Sequence, residues 1–146
     1  MQDNIISMVN KYDKQNCLKD EWSRKEGGVG ISCILENGEI FDKVGVNFSD
    51  ILGDHLPKAA TNLRPELQVK MYRAMGVSLV CHPKIPHVPT AHLNVRLFTA
   101  YGENSQPIWW FGGGFDMTPY YGYEEDAIHW HEIARDICSP YGDELY

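Results

Sequence analysis

The chain has 146 residues, of which 43% are hydrophobic and 23% are charged, and it carries a formal net charge of −7. This composition is typical of one folded domain with a hydrophobic core and argues against a disordered chain. The 13 lysines and arginines are scattered, which argues against a nucleic-acid partner because phosphate binding needs a clustered basic face. No apolar stretch approaches the roughly 18 residues that suggest a membrane span, and no basic-then-apolar leader opens the sequence. We therefore expect a soluble, cytoplasmic protein.

The cysteines favour a reducing compartment. Cys17, Cys33, Cys81 and Cys138 are widely and irregularly spaced, without the Cys-x-x-Cys unit that is typical of zinc and iron–sulfur sites. We interpret them as small buried thiols, which agrees with a cytoplasmic location because structural disulfides are rare there.

The first part of the chain predicts a helix followed by a hairpin. Apolar residues recur at three- and four-residue spacings over residues 3–12, which indicates a short amphipathic helix. Residues 31–35 and 39–48 predict two strands. They are joined through Asn37 and Gly38, because an Asn-Gly pair supplies the positive φ angles that a tight turn requires.

A second helix is predicted to begin at residues 63–65. It places Leu67, Met71 and Met75 on one face. We expect this helix to end at Gly76, since glycine is common just after the last helical residue.

Beyond this helix the pattern predicts strands over residues 77–81, 90–100 and 107–111, the last running into Gly112–Gly114. Residues 102–106 have turn composition, so the second and third of these strands are expected to pair as a hairpin.

The sequence ends with a predicted helix over residues 123–138. Glu124, Glu125 and Asp126 would lie in its first turn, where negative charge complements the helix dipole, and Pro140 follows its end. The chain shows no repeat, low-complexity run or linker. A single α+β domain over residues 1–146 with a largely antiparallel sheet is the simplest account.

One predicted strand carries a row of polar side chains that suits a ligand with several negative charges. Side chains alternate across a strand, so residues 90–100 place His92, Asn94 and Arg96 on one face and Leu93, Val95 and Leu97 on the other. The polar row spans about 13 Å at roughly 3.3 Å per residue. The alternative is a strand whose outer face simply contacts solvent, which is the commoner case for an isolated strand.

The preceding strand repeats the design, because alternation puts Ser78 and His82 on one face. If His82 and His92 face one cavity, they could ligate a metal ion or relay a proton, since imidazole does either. Two histidines alone are a weak metal signal, because a stable site generally has three or four ligands.

A third candidate histidine lies on the last helix. Residues two apart lie about 200° around a helix axis, so His129 and His131 cannot serve one site. His131 flanks the apolar stripe of the helix, where we expect partial burial. The alternative is a boundary histidine with a purely structural hydrogen bond.

Asp116 follows three glycines, and the hairpin register decides whether it faces His92. If the residue numbers of each cross-strand pair add up to an even number, as when Arg96 pairs with Gly112, Asp116 lies on the polar face. If they add up to an odd number, Asp116 lies on the opposite face of the sheet. A β-bulge at the glycines could shift this pairing by one residue and so exchange the two faces. Two interpretations of residues 109–114 stay open: flat backbone against a large planar ligand, or core packing.

Four ordered segments resemble the aerobic, oxygen-dependent coproporphyrinogen III oxidases. They are EWSRKEGGVGISCILENGEIFDKVGVNFSDILG, GVSLVCHPKIPHVPTAHLNVRLFTA, WWFGGGFDMTPYY and EEDAIHWHEIARDIC. The resemblance implies oxidative decarboxylation of two propionates of coproporphyrinogen III to vinyl groups in haem biosynthesis, with O2 as co-substrate and protoporphyrinogen IX as product. It also implies a homodimer and a large, mostly antiparallel sheet flanked by helices on both sides.

The resemblance also assigns roles to residues. The position of His92 carries the family's proton donor, Asp116 matches an acidic residue that faces the pyrrole nitrogens, and Ser78 and Asn94-Val95-Arg96 match substrate contacts. His82, His92 and His131 match metal ligands proposed for bacterial members. Other members are described as needing neither a metal nor an organic cofactor.

Family members are about twice as long, so we expect residues 1–146 to be the N-terminal half of a larger domain and to show no turnover alone. Two other functions are compatible with the same residues. One is a non-catalytic tetrapyrrole-binding module that uses the same surface. The other is a mononuclear metalloenzyme built on the histidines.

Overall fold

Six antiparallel strands form one sheet in the computed structural model, which describes residues 1–54, 71–101 and 106–146. The strands lie side by side in chain order. In chain order the elements are α1 (Gln2–Tyr12), β1 (Leu18–Ser23), β2 (Gly28–Glu36), β3 (Phe41–Gly53), β4 (Met71–Pro83), β5 (Thr90–Tyr101), β6 (Ile108–Thr118) and α2 (Glu124–Cys138). Two short 3-10 turns, Ser139–Tyr141 and Asp143–Leu145, follow α2. The predicted α+β class with an antiparallel sheet is confirmed.

Alternation gives the sheet an apolar face and a polar face. The apolar face includes Leu35, Val44 and Val46, which are fully buried, and the β4 partners of the two valines, Cys81 and Leu79. Helix α1 covers this face with Ile6 and Val9, which complete the core cluster. The polar face carries Ser78, His92, Asn94, Arg96 and Asp116, which pair across β4, β5 and β6.

The hairpin of β2 and β3 is confirmed, but its turn differs from the prediction. Asn37 has a φ of 56°, whereas Gly38 does not take a positive φ. Gly38 instead lies against the Asp13 carboxylate, where a Cβ atom would overlap the side chain. Glycine is therefore required here by close contact, and the expectation of positive φ at both turn residues is wrong.

Asp13 joins the end of α1 to this turn. Its carboxylate accepts hydrogen bonds from the backbone N–H groups of Gln15, Glu39, Ile40 and Phe41 at 2.9–3.1 Å. These donors, that of Gln15 first, hold the pKa of the carboxyl well below its usual value, although burial opposes them.

Helix α2 contacts the apolar face at the opposite edge of the sheet. The rings of Phe115 and Trp130 lie 5.1 Å apart, and Phe115 pairs with Leu93 on that face. No residue of α2 is buried within the described part of the chain. Both described helices thus contact one face, and a helix on the polar face is not among the described residues. Neither helix in those ranges is long and apolar enough to cross a bilayer.

The predicted second helix is wrong where it can be compared. Residues 71–76 belong to β4, and residues 55–70 lie outside the described residues. The physical reason is that Met71 and Met75, four residues apart, share a face in a helix and in a strand alike.

Two further differences are β1, which was not predicted, and Gly112–Gly114, which lie inside β6 instead of after it. Most of the predicted 102–106 turn also lies outside the described residues.

Candidate active site

The register of β5 with β6 decides the geometry of the site. His92 pairs with Asp116 and Arg96 pairs with Gly112. This is the register that places Asp116 on the polar face. Ser78 pairs with Asn94 on the other side of β5. These five polar residues line one open cavity of about 500 Å³ on the polar face. Of the two registers that the sequence left open, the structure has the one in which Asp116 faces His92.

A short hydrogen bond joins the two groups that can exchange protons. His92 Nδ1 lies 2.7 Å from Asp116 Oδ1. A carboxylate acceptor places the proton of a neutral imidazole on Nδ1, which leaves the Nε2 lone pair available to a ligand. Asp116 Oδ1 also accepts a long hydrogen bond from the Thr118 hydroxyl, at 3.5 Å. The second carboxylate oxygen, Oδ2, has no hydrogen-bond partner within the described ranges.

Arg96 lies beside the glycines of β6. A Cβ atom on Gly112 would be 3.5 Å from Arg96 Nε, an ordinary van der Waals distance, so the Arg96 side chain lies directly over this glycine. Arg96, Ser78 and Asn94 have no side-chain hydrogen bond or ion pair in the part of the chain that the structure describes. Their donors are therefore available to a ligand.

Val95 lies on the other side of the sheet from these residues. It pairs with Val77 and Gly113, and it contributes to a larger cavity of about 1190 Å³ between α1 and the C-terminal turns. Its side chain therefore does not face the cavity that His92 and Asp116 line, whereas Asn94 and Arg96 do line that cavity.

Of the three histidines matched to metal ligands, His82 and His92 are neighbours on the polar face, whereas His131 lies on α2. The ring centroids of His82 and His92 are 6.2 Å apart, and His82 Nδ1 lies 3.3 Å from the Thr90 hydroxyl. His131 is exposed on α2, and its Nδ1 lies 2.9 Å from the Tyr146 hydroxyl. No group of three or more His, Cys, Asp or Glu residues in the described ranges is arranged to hold a metal ion. The described residues alone therefore do not form a metal centre, and the metal-ligand role of these histidines stays a prediction.

A cluster of aromatic rings beside the site was not predicted. His87 Nδ1 lies 2.6 Å from the Tyr123 hydroxyl, and the His87 ring stacks on Tyr121 with centroids 4.7 Å apart. The cluster ties the loop between β4 and β5 to the loop after β6. Only the aromatic composition of residues 119–123 could have indicated it.

Taken together, these contacts define an acid–base site on an open sheet face, suited to a ligand with carboxylate groups. A family model for coproporphyrinogen III oxidase matches residues 1–146. The chain therefore belongs to the coproporphyrinogen III oxidase family. Membership supports an oxidoreductase role in haem biosynthesis, with coproporphyrinogen III as the substrate that the family implies.

Proposed function

We propose that the chain carries the substrate-binding and proton-transfer side of an oxygen-dependent coproporphyrinogen III oxidase. For each of two propionates, the carboxylate leaves as CO2 and the side chain becomes a vinyl group. The two electrons released reduce O2 to H2O2, with net uptake of one proton. The observation that carries the proposal is the hydrogen bond of His92 with Asp116 beside Arg96 on one open face.

Arg96 binds a propionate in this proposal. A guanidinium can donate two parallel hydrogen bonds to a carboxylate, and Arg96 has no competing carboxylate partner among the described residues. Ser78 and Asn94, which pair with each other across β4 and β5, supply further polar contacts to the same ligand.

His92 and Asp116 handle the protons. Since Asp116 Oδ1 accepts the Nδ1 proton, Nε2 of His92 is the atom that exchanges a proton with the reacting propionate side chain. Asp116 Oδ2 is left to accept a hydrogen bond from a pyrrole N–H. Asp116 thereby orients the tetrapyrrole through Oδ2 and positions the His92 imidazole through Oδ1.

The further proposals concern what lies beyond this face. Arg96 is the one cation that lines the described cavity, whereas the substrate carries several carboxylates. This supports the proposal that residues 1–146 are the N-terminal half of a larger domain whose remaining part supplies more cations and helices on the polar face. The homodimer and the cytoplasmic location stay predictions.

Turnover by the protein at its natural length tests the proposal. We expect equal amounts of CO2 and H2O2 from coproporphyrinogen III in air and no product without O2. His92→Ala is expected to lower kcat by about 10²- to 10⁴-fold, the usual contribution of a general acid–base residue. His129→Ala is the matched control, because His129 is exposed on α2.

Two results would contradict the proposal. Product formation in the absence of O2 would remove the oxygen-dependent reaction, and full activity of His92→Ala would remove the proton-transfer role. Tight binding of a porphyrinogen without any O2 consumption would favour the non-catalytic binding module. Residues 1–146 alone are expected to give no product.

A further inference from the structure

The polar face continues past the site onto β3. Asn47 pairs with Ser78, and Ser49 pairs with Gly76. Because cross-strand partners point to the same side of a sheet, both residues lie on the polar face, one strand beyond Ser78. A row of polar side chains, Asn47, Ser78 and Asn94, therefore crosses three neighbouring strands and ends at Gly114 in the fourth.

Twelve positions of β3, β4, β5 and β6 form this surface, which we call the platform. They are Gly45, Asn47, Ser49, Gly76, Ser78, Val80, His92, Asn94, Arg96, Gly112, Gly114 and Asp116. The platform measures about 14 Å across the strands and about 13 Å along them, from the standard spacings of a sheet. That size is suited to a tetrapyrrole macrocycle.

The residue types of the platform do not resemble those of a sheet face that merely contacts solvent. It contains no lysine or glutamate and one large apolar residue, Val80. A Cβ atom on Gly114 would meet nothing within 4 Å, and Gly114 is exposed. Packing therefore does not require glycine at this position, although glycine weakens a strand. Gly114 instead leaves the backbone of β6 open to close approach by a ligand.

Asn47 and Ser49 have unused hydrogen-bonding groups. Both are half-buried, and neither side chain has a hydrogen-bond partner in the described part of the protein. Two strand spacings separate β3 from β5, so Asn47 lies about 10 Å from the strand that carries Arg96. One substrate with several carboxylates can therefore reach both.

We propose that the substrate site extends onto β3, where the Asn47 amide, assisted by the Ser49 hydroxyl, binds a second carboxylate of the tetrapyrrole. This inference rests on the proposed function. Asn47 is a binding residue that sets the rotation of the ring on the platform. Arg96 holds one propionate and Asn47 holds another. His92 lies in the row at the other end of the platform from Arg96, and its position there selects which propionate reacts.

Binding of coproporphyrin III, the stable oxidised form with the same carboxylates, tests the extension. Porphyrin fluorescence is titrated with the natural-length protein. We expect Asn47→Ala to weaken binding about tenfold, as for a lost hydrogen bond to a charged group. Asn47→Asp should weaken binding further, because it sets a negative charge against the carboxylate. Asn10→Asp makes the same chemical change at an exposed position of α1 and should bind like the parent.

The outcomes separate this inference from the proposed function. Arg96→Lys loses the fork geometry of the guanidinium and should bind more weakly. If Arg96→Lys weakens binding but both Asn47 variants bind like the parent, the extension onto β3 is overturned and the proposed function stands. If the parent does not bind the porphyrin, or Arg96→Lys binds equally well, the proposed ligand site itself is overturned. Ser49→Asp repeats the test should Asn47→Asp fail to fold, as judged by circular dichroism.

Discussion

Neighbouring glycines of β6 are expected to respond oppositely to substitution, because their missing side chains point to opposite faces. Gly113 pairs with Val95 and Gly114 pairs with Asn94. A Cβ atom on Gly113 would lie 2.5 Å from the Asn94 carbonyl oxygen and 3.2 Å from Val95 Cα, whereas one on Gly114 would meet nothing within 4 Å. Gly113→Ala therefore forces the backbones of β5 and β6 apart, and Gly114→Val does not.

The expected free-energy changes follow from these contacts. Gly113→Ala should destabilise the fold by about 1–3 kcal/mol, the usual cost of overpacking, since the crowded atoms are backbone. Gly114→Val should be neutral or stabilising by up to about 1 kcal/mol, because glycine inside a strand carries an entropic penalty and valine suits a strand. Denaturant unfolding followed by tryptophan fluorescence measures both changes.

Ligand binding should show the reverse order. The valine side chain of Gly114→Val would project into the cavity of about 500 Å³ and lift a flat ligand off the platform. We expect at least a tenfold loss of coproporphyrin III affinity, about 1.4 kcal/mol, in a protein that is fully folded. If Gly113→Ala is as stable as the parent while Gly114→Val unfolds, the register of β6 is shifted by one residue and the reasoning is refuted.

Three predictions concern the rest of the fold. Leu35→Ala should cost about 2–5 kcal/mol of unfolding free energy, because Leu35 is fully buried in the core; a smaller loss in denaturant unfolding would contradict that packing. The lowered pKa of Asp13 means that its stabilisation is present above the unfolded pKa of about 4 and is lost as pH falls below it. Asp13→Asn should therefore lower the melting temperature near neutral pH and flatten its decline in acid, and parallel curves would refute the assignment. Burial raises the pKa of the Cys33 and Cys81 thiols to about 11, so both should react with iodoacetamide only after unfolding. Labelling of the folded protein at either position, read by mass spectrometry, would count against this.

Local patterns predicted the elements whose period is unambiguous. Helices α1 and α2 begin and end within two residues of the predicted bounds. Their apolar residues recur at three-residue as well as four-residue spacings, and a three-residue spacing does not fit the alternation of a strand. The polar row of His92, Asn94 and Arg96 was equally predictable from the sequence, because the alternation of side chains can be recognised within a single strand. The hydrogen-bond partner of His92 and the exposure of Asn94 and Arg96 were not predictable in this way, since both depend on neighbouring strands.

The errors have a common physical cause, which is a pattern compatible with two structures. Met71 and Met75 satisfy the helical and the strand period together, and the sheet decided between them. The glycines of β6 suggested the end of a strand, because glycine has a low intrinsic preference for strands. Pairing with β5 outweighs this unfavourable preference. Asn37 and Gly38 were assigned a tight turn, whereas contact with Asp13 determines the actual one.

Register explains why part of the site was predictable and part was not. Because the connection between β5 and β6 is short, Asp116 could lie on one of only two faces of the sheet. The contact of His92 with Asp116 was therefore one of two defined alternatives. Strands β3 and β4 are separated by 17 residues of sequence, and a bulge shifts their register between Phe41 and Lys43. No local signal could therefore place Asn47 beside Ser78. The platform exists only because three independent registers agree, so a one-residue slip in any of them would separate its polar row and bring apolar side chains to the ligand.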